Sequence, residues 1–341
     1  MDERIKFELK KVSLLAFKIA IGSSLAYYIA ERILHLQFAS SAGIVTLLTL
    51  QTTKRDTIKM SLRRLFTFFL TYGICFLLYH LIDLAWFDYG IYLLIAVFLY
   101  EWFGLRKIVS ANAVTATHFL STQDFSFEFM LNELLLVIIG ITIAIILNMF
   151  HIYNTEENNI IKCMRHVEND MKNILLELAG YLKCQSMGSN VWNDMRTLEG
   201  WLDRFSNLAH DYQGNTFVSH PEYYINYFRM RKQQCVVLHN LHSEMRRLRK
   251  LPEQANIIAE YIMTLTNYIT EMNDPEEQMK ELNILLENMK SEPLPKNREE
   301  FESRALLYHI LMDLEDFLLF KRKFIESIDE EQFRIYWNKQ V

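Results

Sequence analysis

The first 220 residues of this 341-residue chain contain no proline; all five, Pro221, Pro252, Pro275, Pro293 and Pro295, lie beyond. Proline breaks helix interiors, so its absence leaves long uninterrupted helices open to the N-terminal part. Glycine is scarce too, at ten residues, and no glycine-rich phosphate loop, G-x-S-x-G or H-E-x-x-H occurs. Direct nucleotide drive and the common hydrolase and zinc-protease constellations are therefore not expected, and neither is an enzyme. The four cysteines, Cys75, Cys163, Cys184 and Cys235, lack metal-ligand spacing. Three fall in the C-terminal part, an odd number that fits a reduced compartment better than a disulfide framework. No cofactor is expected, and a net charge of −5 offers no basic footprint for nucleic acid. No small-residue cleavage site follows the first apolar run, which is expected to stay in the protein.

The whole-chain mean hydropathy of +0.02 hides a division. Residues 1–150 hold 13 Lys and Arg against 11 Asp and Glu; residues 151–341 hold 23 against 30. The chain is expected to be all-α, with a transmembrane domain over 1–153 and a cytoplasmic helical domain over 154–341. Six apolar segments are expected in the first: Leu14–Leu34, Ala39–Thr53, Leu65–Ala85, Tyr89–Phe103, Ile108–Thr122 and Met130–Phe150. The second and fifth are short and weakly hydrophobic, so re-entrant or interfacial segments remain an alternative.

Cations mark one side. Arg4, Lys6, Lys10 and Lys11 flank the start, Lys54, Arg55, Lys59, Arg63 and Arg64 follow the second segment, and Arg106 and Lys107 follow the fourth. The opposite loops carry Glu31, Arg32, Asp83, Asp88, Asp124 and Glu128. The positive-inside rule gives a multi-pass protein of the cell membrane with both termini cytoplasmic.

Ser41-Ala42-Gly43-Ile44-Val45-Thr46 recurs as Ser110-Ala111-Asn112-Ala113-Val114-Thr115, an offset of 69 residues. The same offset carries Thr46, Thr49 and Thr53 onto Thr115, His118 and Thr122, each triplet on one helix face. It carries Arg64, Thr71 and Cys75 onto Glu133, Gly140 and Ala144. Three spans per copy would give two inverted repeats, a design that places a site near the midplane.

The Ser, Thr, Asn and His residues have two readings, helix–helix glue or the lining of a hydrated route. On the second, Thr46, Thr49, Asn112, Thr115 and His118 line a substrate path. Arg63 and Arg64 attract anions at the cytoplasmic mouth, or anchor the chain to anionic lipid. Glu133 carries the coupling proton, or stands exposed at the membrane edge. Gly22-x3-Ala26-x3-Ala30 reads as close helix packing. Glu101 is expected to pair locally with Arg106 or Lys107.

From about Thr155 the pattern is helical, with helices expected near 160–184, 189–211, 221–250, 253–272, 275–290 and 297–326. Pro221, Pro252 and Pro275 each stand at a helix start. His239 and His242 read as a polar helix face rather than a metal site. Tyr223, Tyr224, Tyr227 and Phe228 read as core. Arg229, Arg231, Lys232, Arg246, Arg247, Arg249 and Lys250 face either the inner leaflet or an acidic neighbour helix.

The run from Lys18 to Arg64 resembles the N-terminal membrane domain of the bacterial aromatic acid exporter family, in the broader fusaric-acid-resistance-like group. The likeness lies in the small-residue first span, the S-A-G-I-x-T-x-L second span and the connector through Ser61, Arg63 and Arg64. The helical remainder is similar to that family's cytoplasmic C-terminal domain. The resemblance implies efflux of aromatic carboxylic acids. Six spans imply a homodimer or larger assembly for a complete path, with the lipid bilayer and a small organic anion as partners. A non-transporting anchor that holds the helical bundle as scaffold or sensor is the alternative.

Overall fold

The computed structural model describes residues 3–81, 85–149, 153–183, 190–216, 220–248 and 251–337. Asp83, Phe150, Cys184, Arg249 and Lys250 lie outside them. The chain divides into two compact units, Met1–Ile152 and Tyr153–Val341. Every regular element among the described residues is helical, so the fold is all-α.

The first unit contains α1 (Glu3–Tyr28, continued by a π turn over Ile29–Ile33), α2 (Ser40–Thr49), α3 (Lys54–Leu81), α4 (Ala85–Trp102), α5 (Val109–Thr122) and α6 (Phe127–Met149). Among the described residues, Val12–Ile33, Lys54–Leu81 and Phe127–Met149 are long and apolar enough to cross a membrane. The repeat cores are shorter. α2 has ten residues and α5 fourteen, which correspond to about 15 and 21 Å at the helical rise, against a hydrocarbon core of about 30 Å.

The packing is built on exchangeable pairs. α2 lies on α1 and α6, α5 lies on α4 and α3, and α3 and α6 pack on each other. Exchanging the first three helices for the last three leaves these pairs unchanged. α3 and α6 run in opposite directions, because Asn148 near the end of α6 donates to the Thr57 hydroxyl near the start of α3 at 2.7 Å. Small residues allow α2 to nestle. A Cβ on Gly43 would stand 2.9 Å from the Ser23 carbonyl, and one on Gly140 would stand 2.6 Å from Val45 Cγ1 and 2.8 Å from the Ala42 carbonyl. Helices that cannot use the hydrophobic effect against lipid gain their cohesion from such close approach.

The second unit comprises α7 (Tyr153–Leu182), α8 (Val191–Asn215), α9 (Glu222–Arg247), α10 (Gln254–Leu265), α11 (Glu276–Ser291) and α12 (Arg298–Glu326), then a helical turn ending at Trp337. Pro221 and Pro275 are the N-caps of α9 and α11. α9 is central, packing on α7, α8 and α12. Tyr223, Tyr224, Tyr227 and Phe228 are all at most 1% exposed. Two basic residues of α9 face acidic neighbours, Arg231 reaching Glu168 of α7 and Lys232 reaching Asp203 of α8 at 2.7 Å, whereas Arg229 and Arg246 are exposed and Arg247 pairs with Glu244 of α9 itself. His239 and His242 both pack on Trp192, and no metal-binding group of three ligands occurs among the described residues.

Buried charge in this core is held by a polar web. Glu168 accepts from Arg165, Arg231 and the Tyr227 hydroxyl; Glu271 accepts from Arg165 and the Tyr223 hydroxyl. Lys321 donates to the Glu271 carbonyl and lies under the Phe324 and Trp337 rings. Burial, reinforced by the Arg231 cation, pulls the Lys321 pKa down to about 7. The amine therefore binds its proton more weakly in the folded state than in the unfolded one. Its contribution to stability rises as pH climbs from about 7 toward the ordinary lysine value. Lys321→Met is expected to stabilise the fold near neutral pH by about 1–2 kcal/mol. The gain should shrink by up to about 1.4 kcal/mol per pH unit above that. Unfolding of both proteins at neutral and alkaline pH checks this; a difference that does not change with pH would contradict it.

Candidate functional site

Besides the Asn148–Thr57 contact, two polar clusters stand out among the described residues buried in the first unit. The first joins α2, α5 and α6. His118, near the end of α5, places Nδ1 2.8 Å from Glu133 Oε2, near the start of α6. Their exposures are 8% and 1%. Glu133 is therefore enclosed within the helices rather than exposed. The other ring nitrogen, Nε2, faces Ser41 Oγ of α2 at 3.4 Å. Asn132 holds the second carboxylate oxygen: its Nδ2 donates to Glu133 Oε1 at 3.3 Å and to the Gln37 carbonyl at 3.2 Å. The Gln37 N–H donates back to Asn132 Oδ1 at 2.9 Å.

Phe38 covers the imidazole, its ring stacked at a centroid distance of 4.1 Å. Its φ is +54°, and that of His35 in the same loop is +53°. Each such residue costs about 1–3 kcal/mol and persists only where its surroundings over-determine it. Here the stack on His118 and the Gln37–Asn132 clasp supply that constraint.

With Glu133 ionised, Nδ1–H donates to it, and in the neutral imidazole Nε2 accepts from Ser41. An imidazole and a carboxylate in contact can take up or release one proton while each keeps a hydrogen-bond partner. That makes the pair chemically suited to carry a proton through an apolar region.

The second cluster joins α3, α4 and α5. The Thr71 hydroxyl lies 3.1 Å from the Tyr92 and the Tyr100 hydroxyls, and Asn112 Nδ2 donates to Tyr100 at 3.0 Å. Asp88, Tyr92, Ala96 and Tyr100 form the buried face of α4.

Residues 10–151 match the family described as "Aromatic acid exporter family member 1", and residues 157–322 match the "Putative aromatic acid exporter C-terminal domain". The chain belongs to the aromatic acid exporter family. A relative from Bacillus subtilis (strain 168), described as "Uncharacterized protein YqjA", is 28% identical over 316 residues, 92% of this chain and 96% of that one. A crystal structure of a "putative membrane protein" from Clostridium difficile 630 is 26% identical with a TM-score of 0.45, covering 50% of this chain and 98% of that one. The family is one of membrane proteins, and the two family matches between them account for both compact units.

The residues expected along one path fall into separate places in this family member. His118 belongs to the first cluster and Asn112 to the second. Thr46 clamps α2 to α6, donating to the Ala42 carbonyl at 3.0 Å and lying 3.2 Å from the Gly140 carbonyl. Thr49 bonds back to the Val45 carbonyl. Thr115 is buried on α5. Arg63 is exposed, as a charge at the mouth must be, but Arg64 is 2% exposed. It therefore cannot act at the surface with Arg63, because adjacent residues on a helix point about 100° apart and α3 turns Arg64 inward. Glu101 pairs with Arg106 at 3.1 Å.

Ser41, Phe38 and Asn132 complete the first cluster without having been singled out beforehand. Ser41 opens the repeated motif, which is a usable signal. The recurrence of Tyr92, Ala96 and Tyr100 every fourth residue would have pointed to the second cluster. Nothing in the sequence marks Phe38.

Proposed function

We propose that this protein exports small organic anions, aromatic carboxylates among them, across the cell membrane, and that proton entry drives the export. The buried His118–Glu133 pair carries this reading. An ionisable pair at depth in an apolar unit is costly and points to proton or ion movement. Family membership supports the class of cargo.

The chain crosses the bilayer six times with both termini cytoplasmic, in two inverted three-helix repeats. The exchangeable packing pairs and the opposite directions of α3 and α6 support that arrangement. α2 and α5 are its short, polar-faced members, of the kind found at transporter sites. The complete path forms in a homodimer or larger assembly.

The test is accumulation of radiolabelled hydroxybenzoate in cells with and without the protein. Lower accumulation that a proton uncoupler abolishes is the expected result. Equal accumulation for this and other aromatic acids would remove the export reading. The anchor reading draws on the Thr46 and Thr49 hydroxyls, which bond backbone carbonyls in close contacts rather than facing open space. Cysteines placed at positions 46, 49, 115 and 118 that resist an aqueous thiol reagent would favour it.

A further inference from the structure

Arg64 is a buried guanidinium with no anionic partner among the described residues. Its Nε and Nη2 are enclosed and have no hydrogen-bond partner, and no ion pair joins it among the described residues. Arg231, buried to a similar degree, differs: it donates to Tyr227, Gln234 and Glu168. A buried charge left unpaired is strongly unfavourable, and no described residue supplies its counter-charge, so the position is suited to one brought by a ligand.

The geometry names the shape of that counter-charge. Nε–H and one N–H of Nη2 lie along one edge of the guanidinium and point in parallel, the fork that matches the two oxygens of a carboxylate. Both groups of this edge are enclosed and unbonded in Arg64.

The repeat explains why no side chain fills it. The 69-residue offset sets Arg64 opposite Glu133, and Thr49 opposite His118. Glu133 has His118 as its partner. At the equivalent place on α2 stands Thr49, a neutral residue whose hydroxyl bonds the Val45 carbonyl. The two copies thus carry opposite charges at matched positions, one satisfied within the chain and one not. Further along the same face of α3 come Thr67 and Thr71, both fully buried, and Thr71 leads into the Tyr92 and Tyr100 hydroxyls.

We propose that Arg64 is the carboxylate-binding residue of an internal anion site, gripping one carboxylate through its Nε/Nη2 edge. That this carboxylate is the exported cargo rests on the export reading; that the site binds a carboxylate does not.

The test uses the full chain in detergent and the shift of its thermal unfolding midpoint with sodium benzoate, against sodium chloride at equal ionic strength. Wild type should show a saturable upward shift with benzoate only. Arg64→Met should unfold at or above the wild-type temperature without ligand, because an unpaired buried charge is gone, and should lose the benzoate shift. Arg64→Lys keeps the charge but lacks the fork, and its apparent affinity should fall at least tenfold. Arg106→Gln removes one exposed cation and should respond as wild type does. The proposal is overturned if wild type responds no more to benzoate than to chloride, or if Arg64→Met or Arg64→Lys responds as wild type does. It is equally overturned if Arg64→Met is strongly destabilised while Arg64→Lys binds normally, since Arg64 would then be structural. Benzoate binding without cellular export would keep the site and remove the export reading; export unchanged in Arg64→Met would keep the export reading and overturn the assignment of the cargo to this site.

Discussion

Glu133→Gln is expected to reduce uncoupler-sensitive hydroxybenzoate export by on the order of 100-fold, the scale on which a positioned proton-transferring side chain acts. Glutamine keeps the shape of the side chain: its amide oxygen can accept from Asn132 while its NH2 donates to His118 Nδ1 in the other tautomer, whose Nε2–H then turns to Ser41 Oγ, so the cluster should survive. What it cannot do is gain and lose a proton. Unfolding in detergent should therefore stay within about 1 kcal/mol of wild type, which separates loss of coupling from loss of fold. His118→Asn should reduce export too, because it takes the imidazole from between Glu133 and Ser41. If Glu133→Gln exported at the wild-type rate and remained uncoupler-sensitive, the coupling proton would have to travel elsewhere.

Gly140→Val should destabilise the membrane unit by about 3 kcal/mol, as overpacking at a closed contact does. The added Cβ would stand within 2.8 Å of the Ala42 carbonyl, a backbone atom that cannot swing aside. α2 would have to move off α6, and the Thr46 contact with the Gly140 carbonyl would break with it. Gly73→Ala provides the control, since a Cβ there meets nothing within 4 Å. It should leave stability unchanged or raise it by up to about 1 kcal/mol, because a helix interior favours alanine over glycine. Thermal unfolding of both variants in one detergent gives the comparison, and equal midpoints would show that the α2–α6 contact does not limit stability.

Much of this architecture was legible beforehand for local reasons. Pro221 and Pro275 announce α9 and α11 because a missing N–H is harmless at a helix start. The apolar runs announce α1, α3, α4 and α6, and the repeat marks α2 and α5 as polar-faced. The basic face of α9 was ambiguous because charge alone does not say what lies opposite. Only the packing of α7 and α8 against it assigns Arg231 to Glu168 and Lys232 to Asp203. The candidate site was legible residue by residue and not as a constellation. His118 and Glu133 drew attention separately, one as a titratable group in a short span and the other as a carboxylate near a helix start. Their contact depends on how far α5 and α6 are each rotated about their own axes.

The sequence by itself determined the division into an apolar and an acidic part, the helical character of both, and the apolar stripe of the amphipathic helices in the second. Those properties follow from neighbours three and four residues apart, which any single helix displays. Tertiary structure alone decided which polar groups meet. Gly43 and Gly140 let α2 sink between α1 and α6, and that approach sets Ser41 against His118. It also decided that Arg64, adjacent in sequence to an exposed arginine, is enclosed with one edge unpaired. Pairing across helices is set by rotation and closeness of approach, and small residues far apart along the chain control both.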